Sequence, residues 1–400
     1  MRHPLQSMKG ILAVSLLTAL AAGCTTVKVS QAPDKPKEAA VEASQRVAHW
    51  QFDAGNRPPA DRDGYRPPQK LAVLLPLSGS LAPASAPVRD GLLAGYYGEQ
   101  RRRPELKFYD TAGTAGGAIA AYQKAIADGA DQVLGPLGRD EVDAVFRDVK
   151  TGVPVLALNR GTVAPPANNA SYSLAPEDDG DSAADYLTTR KALRVLVLSS
   201  GDDYARRSAA SFAARMQENG GSVVQTLAVV GDKPADMTPT LQAALQKEGG
   251  VDAVFLALRG PAARAMAPQL SAAGYAGKPL VATSQLVSGT GKADQDRALD
   301  GIAFPTERWG VTSVSGLPGA ADTAGRISTA RGPQAKLFAF GFDAWLLTAY
   351  LERLATSADA DVEGATGLLR VGATGNVLRT PAWSTFSSGY VVPLNNGRGG

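Results

Sequence analysis

The 400-residue chain is poor in the side chains that most metal and nucleophile chemistry needs: it holds one cysteine, Cys24, and two histidines, His3 and His49. Disulfide frameworks need paired cysteines and Cys/His zinc sites need more ligands than these, so both are excluded. A Ser-His-Asp mechanism would rest on His3, at the extreme N-terminus, or on His49, in a polar stretch rich in proline. Charge of one sign is lacking as well. Lys plus Arg is 41 and Asp plus Glu is 38, a formal net charge of +3, which gives no basic field to hold a nucleic acid along one face. No Ser is followed three places later by Lys, and no G-x-S-x-G is present. Gly277-Lys278-Pro279 and Gly291-Lys292-Ala293 lack the upstream Gly and the Ser or Thr of a phosphate loop. The acidic runs Glu177-Asp178-Asp179 and Asp202-Asp203 stand where helices begin, and carboxylates there complement the helix dipole. The expectation is a protein that is not an enzyme and uses no cofactor or metal.

What is present begins with an address. Arg2 and Lys9 precede the apolar run from Ile11 to Ala22, which is too short to span a membrane comfortably and is followed by Gly23 and Cys24. Leu20-Ala21-Ala22-Gly23-Cys24 resembles the lipobox of bacterial lipoproteins. The resemblance implies cleavage after residue 23 and acylation of Cys24, with outer-membrane placement because Thr25 rather than Asp follows it. Several acyl chains would give stable attachment. Residues 24–70 hold Pro33, Pro36, Pro58, Pro59, Pro67 and Pro68 among mixed charges. They read as a largely disordered tether, with a short helix over Lys37 to Gln51 in contact through Val41, Val47 and Trp50.

From Leu71 the pattern alternates. Apolar strand-length runs start near residues 71, 106, 131 and 153, and again near 195, 223, 253 and 280. Helical periodicity lies between them, so the spacing is that of βαβ units. The expected fold class is α/β, with two doubly wound lobes and a central cleft beyond the carboxyl ends of the strands. The boundaries read as 71–188 plus 306–360 for the first lobe and 189–305 plus 361–390 for the second, with 391–400 a tail. Leu337–Leu354 reads as one strong helix, and the runs 368–370 and 377–379 as a hairpin.

More specific phrases follow in order. They include Pro76-Leu77-Ser78-Gly79, Asp110-Thr111-Ala112-Gly113, Val133-Leu134-Gly135-Pro136-Leu137, Tyr172-Ser173-Leu174-Ala175-Pro176-Glu177-Asp178 and Leu337-Phe338-Ala339-Phe340-Gly341-Phe342-Asp343-Ala344. This ordered set resembles the penicillin-binding protein activator lipoproteins, the LpoA/LppC family, over roughly Leu71 to Gly389. The resemblance implies a type I periplasmic-binding-protein-like fold. It further implies an outer-membrane lipoprotein facing the periplasm, which contacts a bifunctional, class A penicillin-binding protein and stimulates its peptidoglycan synthesis. Long members carry a helical-repeat domain ahead of this region, where the chain reads as tether. After Gly301-Ile302 the family usually has an acidic-Met-Pro-Trp phrase, and here Pro305-Thr306-Glu307-Arg308-Trp309 stands.

Loops behind the strands would line the cleft. Ser78, Gly79, Gly135, Pro136, Leu137, Asn159 and Arg160 come from the first lobe, and Ser199, Ser200, Tyr204, Arg259 and Ser284 from the second. Hydroxyls and N–H groups at helix starts can hold a carboxylate, and Arg160 and Arg259 could grip it through two bonds each. The same serines, glycines and Asn159 also suit plain turns and caps. Trp309, in a Gly-flanked loop, is the candidate partner surface. A lipoprotein receptor for an amino acid or peptide is the rival reading of the same fold.

Overall fold

The computed structural model describes residues 35–52, 57–148, 152–288 and 291–394. The expected signal segment, the expected lipid site Cys24 and the end of the expected tail lie outside them. Residues from Val41 onward form one compact unit; of the unit that ends at Ala40, the described part is the start of helix α1 (Lys35–His49).

The first lobe is a parallel sheet wound on both sides. In chain order it contains β1 (Lys70–Leu75), α2 (Ala82–Gly98), β2 (Glu105–Asp110), α3 (Ala115–Ala127), β3 (Gln132–Leu134), α4 (Arg139–Asp148), β4 (Val155–Ala157) and β5 (Ala170–Ser171), with strand order β2-β1-β3-β4-β5. Leu71 to Leu75 are all buried, as an apolar strand covered on both faces must be.

The second lobe starts with α5 (Pro176–Thr188) and continues through β6 (Arg194–Ser199), α6 (Asp203–Glu218), β7 (Ser222–Ala228), α7 (Thr238–Leu245), β8 (Ala253–Ala257), α8 (Gly260–Leu270), β9 (Leu280–Ala282), α9 (Ala293–Asp296) and β10 (Ala303–Thr306). The chain then returns to the first lobe with α10 (Ala320–Arg326) and the 22-residue helix α11 (Ala335–Thr356). Strands β11 (Val362–Glu363), β12 (Leu368–Val371) and β13 (Val377–Thr380) form a small antiparallel sheet. Strands β14 (Ala382–Ser387) and β15 (Tyr390–Pro393) close the second lobe's sheet, in the order β15-β14-β10-β9-β8-β6-β7. Among the described residues no helix is long and apolar enough to cross a membrane.

Helix α11 crosses α2 at a backbone-to-backbone notch. A Cβ on Gly91 would lie 1.9 Å from the Phe338 carbonyl oxygen, and one on Gly341 would lie 1.9 Å from that of Val88. Two glycines, one from each helix, therefore permit the close approach.

The structure moves two expected boundaries. Helix α5 belongs to the second lobe, because Ala183, Ala184 and Leu187 pack with Val195, Phe212 and Phe255. The small sheet belongs to the first lobe, because Leu369, Val371 and Val377 share a core with Leu71, Trp345 and Leu354. The chain thus passes between lobes around residues 172–176, 306–309 and 380–382.

The tether reading is corrected over residues 41–52 and 57–69. Its low apolar content hides a few large contacts. Trp50 and Tyr65 are buried, Arg57 pairs with Asp131 at 2.7 Å, and Arg66 pairs with Glu352 at 2.8 Å. Arg46, buried, donates to the main-chain oxygens of Leu354, Ala355 and Val371 at 3.2, 3.0 and 3.0 Å. Two of those carbonyls close the last turn of α11, where no intrahelical donor remains. Helix α1 matches the expected short helix, but Val41 and Val47 face solvent.

Candidate functional site

Where the two lobes face each other, cations come from the first lobe and anions from the second. Arg160, just after β4, donates from Nη1 to Asp178 Oδ1 at 2.9 Å and from Nη2 to the Val377 oxygen at 2.8 Å. Arg379, on β13, is buried with Asp178 at 4.0 Å and Asp179 at 3.8 Å, and it donates to the Thr366 oxygen at 3.4 Å. Lys336, at the start of α11, lies 3.6 Å from Glu307 and donates to Ser284 Oγ at 2.9 Å. Asp178 and Asp179 occupy the first turn of α5, where the dipole also favours negative charge.

A hydrogen-bond chain extends these pairs. Tyr204 Oη donates to Asp179 Oδ2 at 2.6 Å, and Ser284 N donates to the same oxygen at 2.8 Å. Because the tyrosine proton is committed to Asp179, the Ser284 hydroxyl donates to Tyr204 across 3.2 Å. The sequence Lys336, Ser284, Tyr204, Asp179 therefore runs unbroken between the lobes. Burial pushes the Asp178 carboxyl above its ordinary range, and the Arg160 and Arg379 guanidiniums oppose that push. Burial also drives the Tyr204 phenol far upward, helped by the Asp179 charge. Burial alone would lower Arg379, but Asp178 and Asp179 hold it above the usual arginine range.

A second centre lies inside the first lobe. Asp343, fully buried on α11, accepts from the N–H groups of Ala365 and Thr366 at 2.5 and 2.8 Å, from Thr366 Oγ1 at 2.6 Å and from Tyr172 Oη at 3.2 Å. Burial pushes its carboxyl up to about 6, against the pull of these donors.

The expected site residues separate into three groups. Arg160, Tyr204 and Ser284 meet at the seam. Ser78, Gly79, Gly135, Pro136, Leu137, Asn159, Ser199 and Ser200 make turns and caps. Ser78 donates from both N and Oγ to Asp110, and Gly79 adopts φ +79°. Gly135 lies where a Cβ would meet the Leu74 oxygen at 2.1 Å, Pro136 accepts from Leu158 N, and Asn159 Nδ2 donates to the Leu137 oxygen. Ser199 Oγ accepts from Gly201 N, and Ser200 Oγ donates to Asp202, itself the cap of α6. Arg259, exposed, precedes α8 beside a hollow of about 10 Å³, room for a single water at most. A larger open groove of about 850 Å³ runs along the flank of α5 and is lined in part by Arg160, Arg215 and Trp383.

Trp309 is corrected. It is buried, stacked on Phe338 with 5.3 Å between ring centres, and its Nε1 donates to the Pro318 oxygen at 2.8 Å. It packs with Val314, Leu317, Ala330 and Phe342 and offers no partner surface. Sequence reasoning missed Lys336, Arg379 and Asp343 as site residues. Asp343 carried a signal, an acid inside an otherwise apolar helical run. Lys336 and Arg379 carried none, since lysine at a helix start and arginine in a short strand usually face water.

These features define a two-lobed α/β body of the periplasmic-binding-protein type, with its facing surfaces bonded to each other. The chain matches the family model described as "LppC putative lipoprotein" over residues 65–389, and it belongs to that family. It is 26% identical over 331 residues to the penicillin-binding protein activator LpoA of Pasteurella multocida, covering 82% of this chain and 55% of that protein. With the Escherichia coli K12 protein of the same name the identity is 25%, over 73% of this chain and 48% of the other. The chain spans about half the length of the curated relatives it matches. Among solved structures, the C-domain of Haemophilus influenzae LpoA, described as a regulator of PBP1A, gives a TM-score of 0.67 at 22% identity, covering 82% of this chain and all of that domain. A putative branched-chain amino acid ABC transporter protein of Chromobacterium violaceum gives 0.63 at 29% identity, covering 79% of this chain and 99% of the other.

Proposed function

We propose that the chain is a regulator of peptidoglycan synthesis. As an outer-membrane lipoprotein held through Cys24, it binds a class A penicillin-binding protein and stimulates its synthesis of glycan chains, without catalysing a reaction itself. Membership of the LppC family and the activator names of its relatives support this reading. One observation favours it over a solute receptor. The groups expected to hold a ligand's carboxylate at the seam, Arg160, Tyr204 and Ser284, are already bonded to protein partners. A receptor would need them free, because each charge or hydroxyl given to the protein is lost to the ligand.

The test is glycan-chain synthesis by a purified class A penicillin-binding protein from the same organism, with and without the full chain. The preparation includes the chain ahead of β1 because residues 41–52 and 57–69 complete the first lobe. The expected result is stimulation that saturates as the chain is added. Absence of both stimulation and association would end this reading and restore the amino-acid or peptide receptor, next tested by thermal-shift screening of metabolites.

A further inference from the structure

The seam residues sit where a two-lobed protein of this architecture would close on a solute. Here the closing contacts are made by the protein. Arg160, Arg379 and Lys336 stand on the first lobe, and Asp178, Asp179 and Glu307 on the second lobe or its connecting segment. Asp179, Arg379 and Asp178 have side chains at most 9% exposed, so salt screens them far less than surface pairs. Leaving any one of them buried without its partner is strongly unfavourable, so separating the lobes would require all of these groups to be rehydrated together.

We propose that this set is a built-in latch, which holds the lobes together in the absence of any ligand and makes the pair of lobes one fixed body. The two cations at the edge, Arg160 and Lys336, bridge directly by hydrogen bonds. Arg379 supplies charge from behind at longer range, with its Nε unbonded. The Lys336–Ser284–Tyr204–Asp179 chain ties the start of α11 to the starts of α5 and α6. The latch does not depend on the identity of the partner. It predicts that a partner meets one arrangement of the lobes rather than selecting between open and closed forms.

The measurement is the distance between spin labels placed on each lobe of the full chain by electron–electron double resonance. Lys124→Cys on α3 and Glu218→Cys on α6 are exposed sites, and Cys24→Ser removes the chain's other cysteine. A single narrow distribution is expected, unchanged by a mixture of free amino acids or by raising the salt to about 1 M, where exposed pairs are screened within about 3 Å. Adding Arg160→Gln and Lys336→Gln should broaden the distribution and lengthen its mean by several ångströms, with helical circular dichroism retained. A broad or two-peaked distribution in the otherwise unaltered chain, shortening on addition of amino acids, or a distribution unmoved by the paired Gln substitutions would each overturn the latch.

Discussion

Asp343 and the pair Asp178–Asp179 are both taken out of water, and the molecule satisfies them in opposite ways. Asp343 takes its hydrogen bonds from the turn between β11 and β12 and from Tyr172, all within the first lobe, and among the described residues no salt bridge reaches it. Asp178 and Asp179 face guanidiniums across the seam, and Asp179 also accepts from Tyr204 and Ser284. Main-chain donors are fixed in place, so Asp343 sets the internal geometry of a lobe by pinning that turn to α11. Charged side chains reach further and turn more freely, so the seam sets how two finished lobes sit together. The first kind of centre should govern whether the chain folds, the second which arrangement the folded lobes keep.

The sharpest way to break the comparison is Asp343→Ala. It strands two buried N–H groups and leaves a void, for a loss of about 4 kcal/mol, read as a fall in the urea midpoint. A loss no larger than that of a seam variant would erase the distinction. Asp343→Asn tests the same centre by pH. The folded-state value near 6 lies above the ordinary 3.8, so between those values the folded chain keeps a proton that the unfolded chain releases. Stability of the natural chain relative to the Asn variant should therefore fall as pH rises through that window, by about 2–3 kcal/mol in all. Urea melts of both proteins from about pH 4 to about pH 7 would show it, and a flat difference would mean that the donors hold Asp343 ionised throughout.

Gly364→Ala should cost about 1–3 kcal/mol, because the new Cβ would sit 2.6 Å from Asp343 Oδ1. Thermal unfolding checks it, and a neutral result would show that the turn can shift. The smallest effect belongs to the seam. Lys336→Gln, at a side chain 27% exposed, should change global stability by less than about 1 kcal/mol. If calorimetry instead shows a loss as large as that of the Asp343 variants, the seam is part of the folding core.

Apolar runs bounded by turn residues made nearly every parallel strand legible in the sequence, from Leu71-Ala72-Val73-Leu74-Leu75 to the short Leu280–Ala282. Helix α11 and the hairpin of β12 and β13 were legible for the same reason, strong local pattern. Helix α5 was seen at its acidic start, but its lobe was not, because burial of Ala183, Ala184 and Leu187 is decided by packing on α6. The seam was half legible. Arg160, Tyr204 and Ser284 follow strands or begin a helix, where function gathers in such folds, whereas Arg379 became a site residue through the pairing of a short strand remote in sequence. Residues 41–69 misled because composition counts residues, while Trp50, Tyr65 and Arg46 act through size and reach.

Arg46 has a mechanical consequence. A pull applied to the chain from its N-terminal side meets this residue before it reaches β1. Three hydrogen bonds then spread the force to the last turn of α11 and to the end of β12. Those bonds share the load across the 22-residue helix α11, the longest among the described residues, so traction would be borne in parallel by the base of the first lobe rather than peeling its sheet strand by strand.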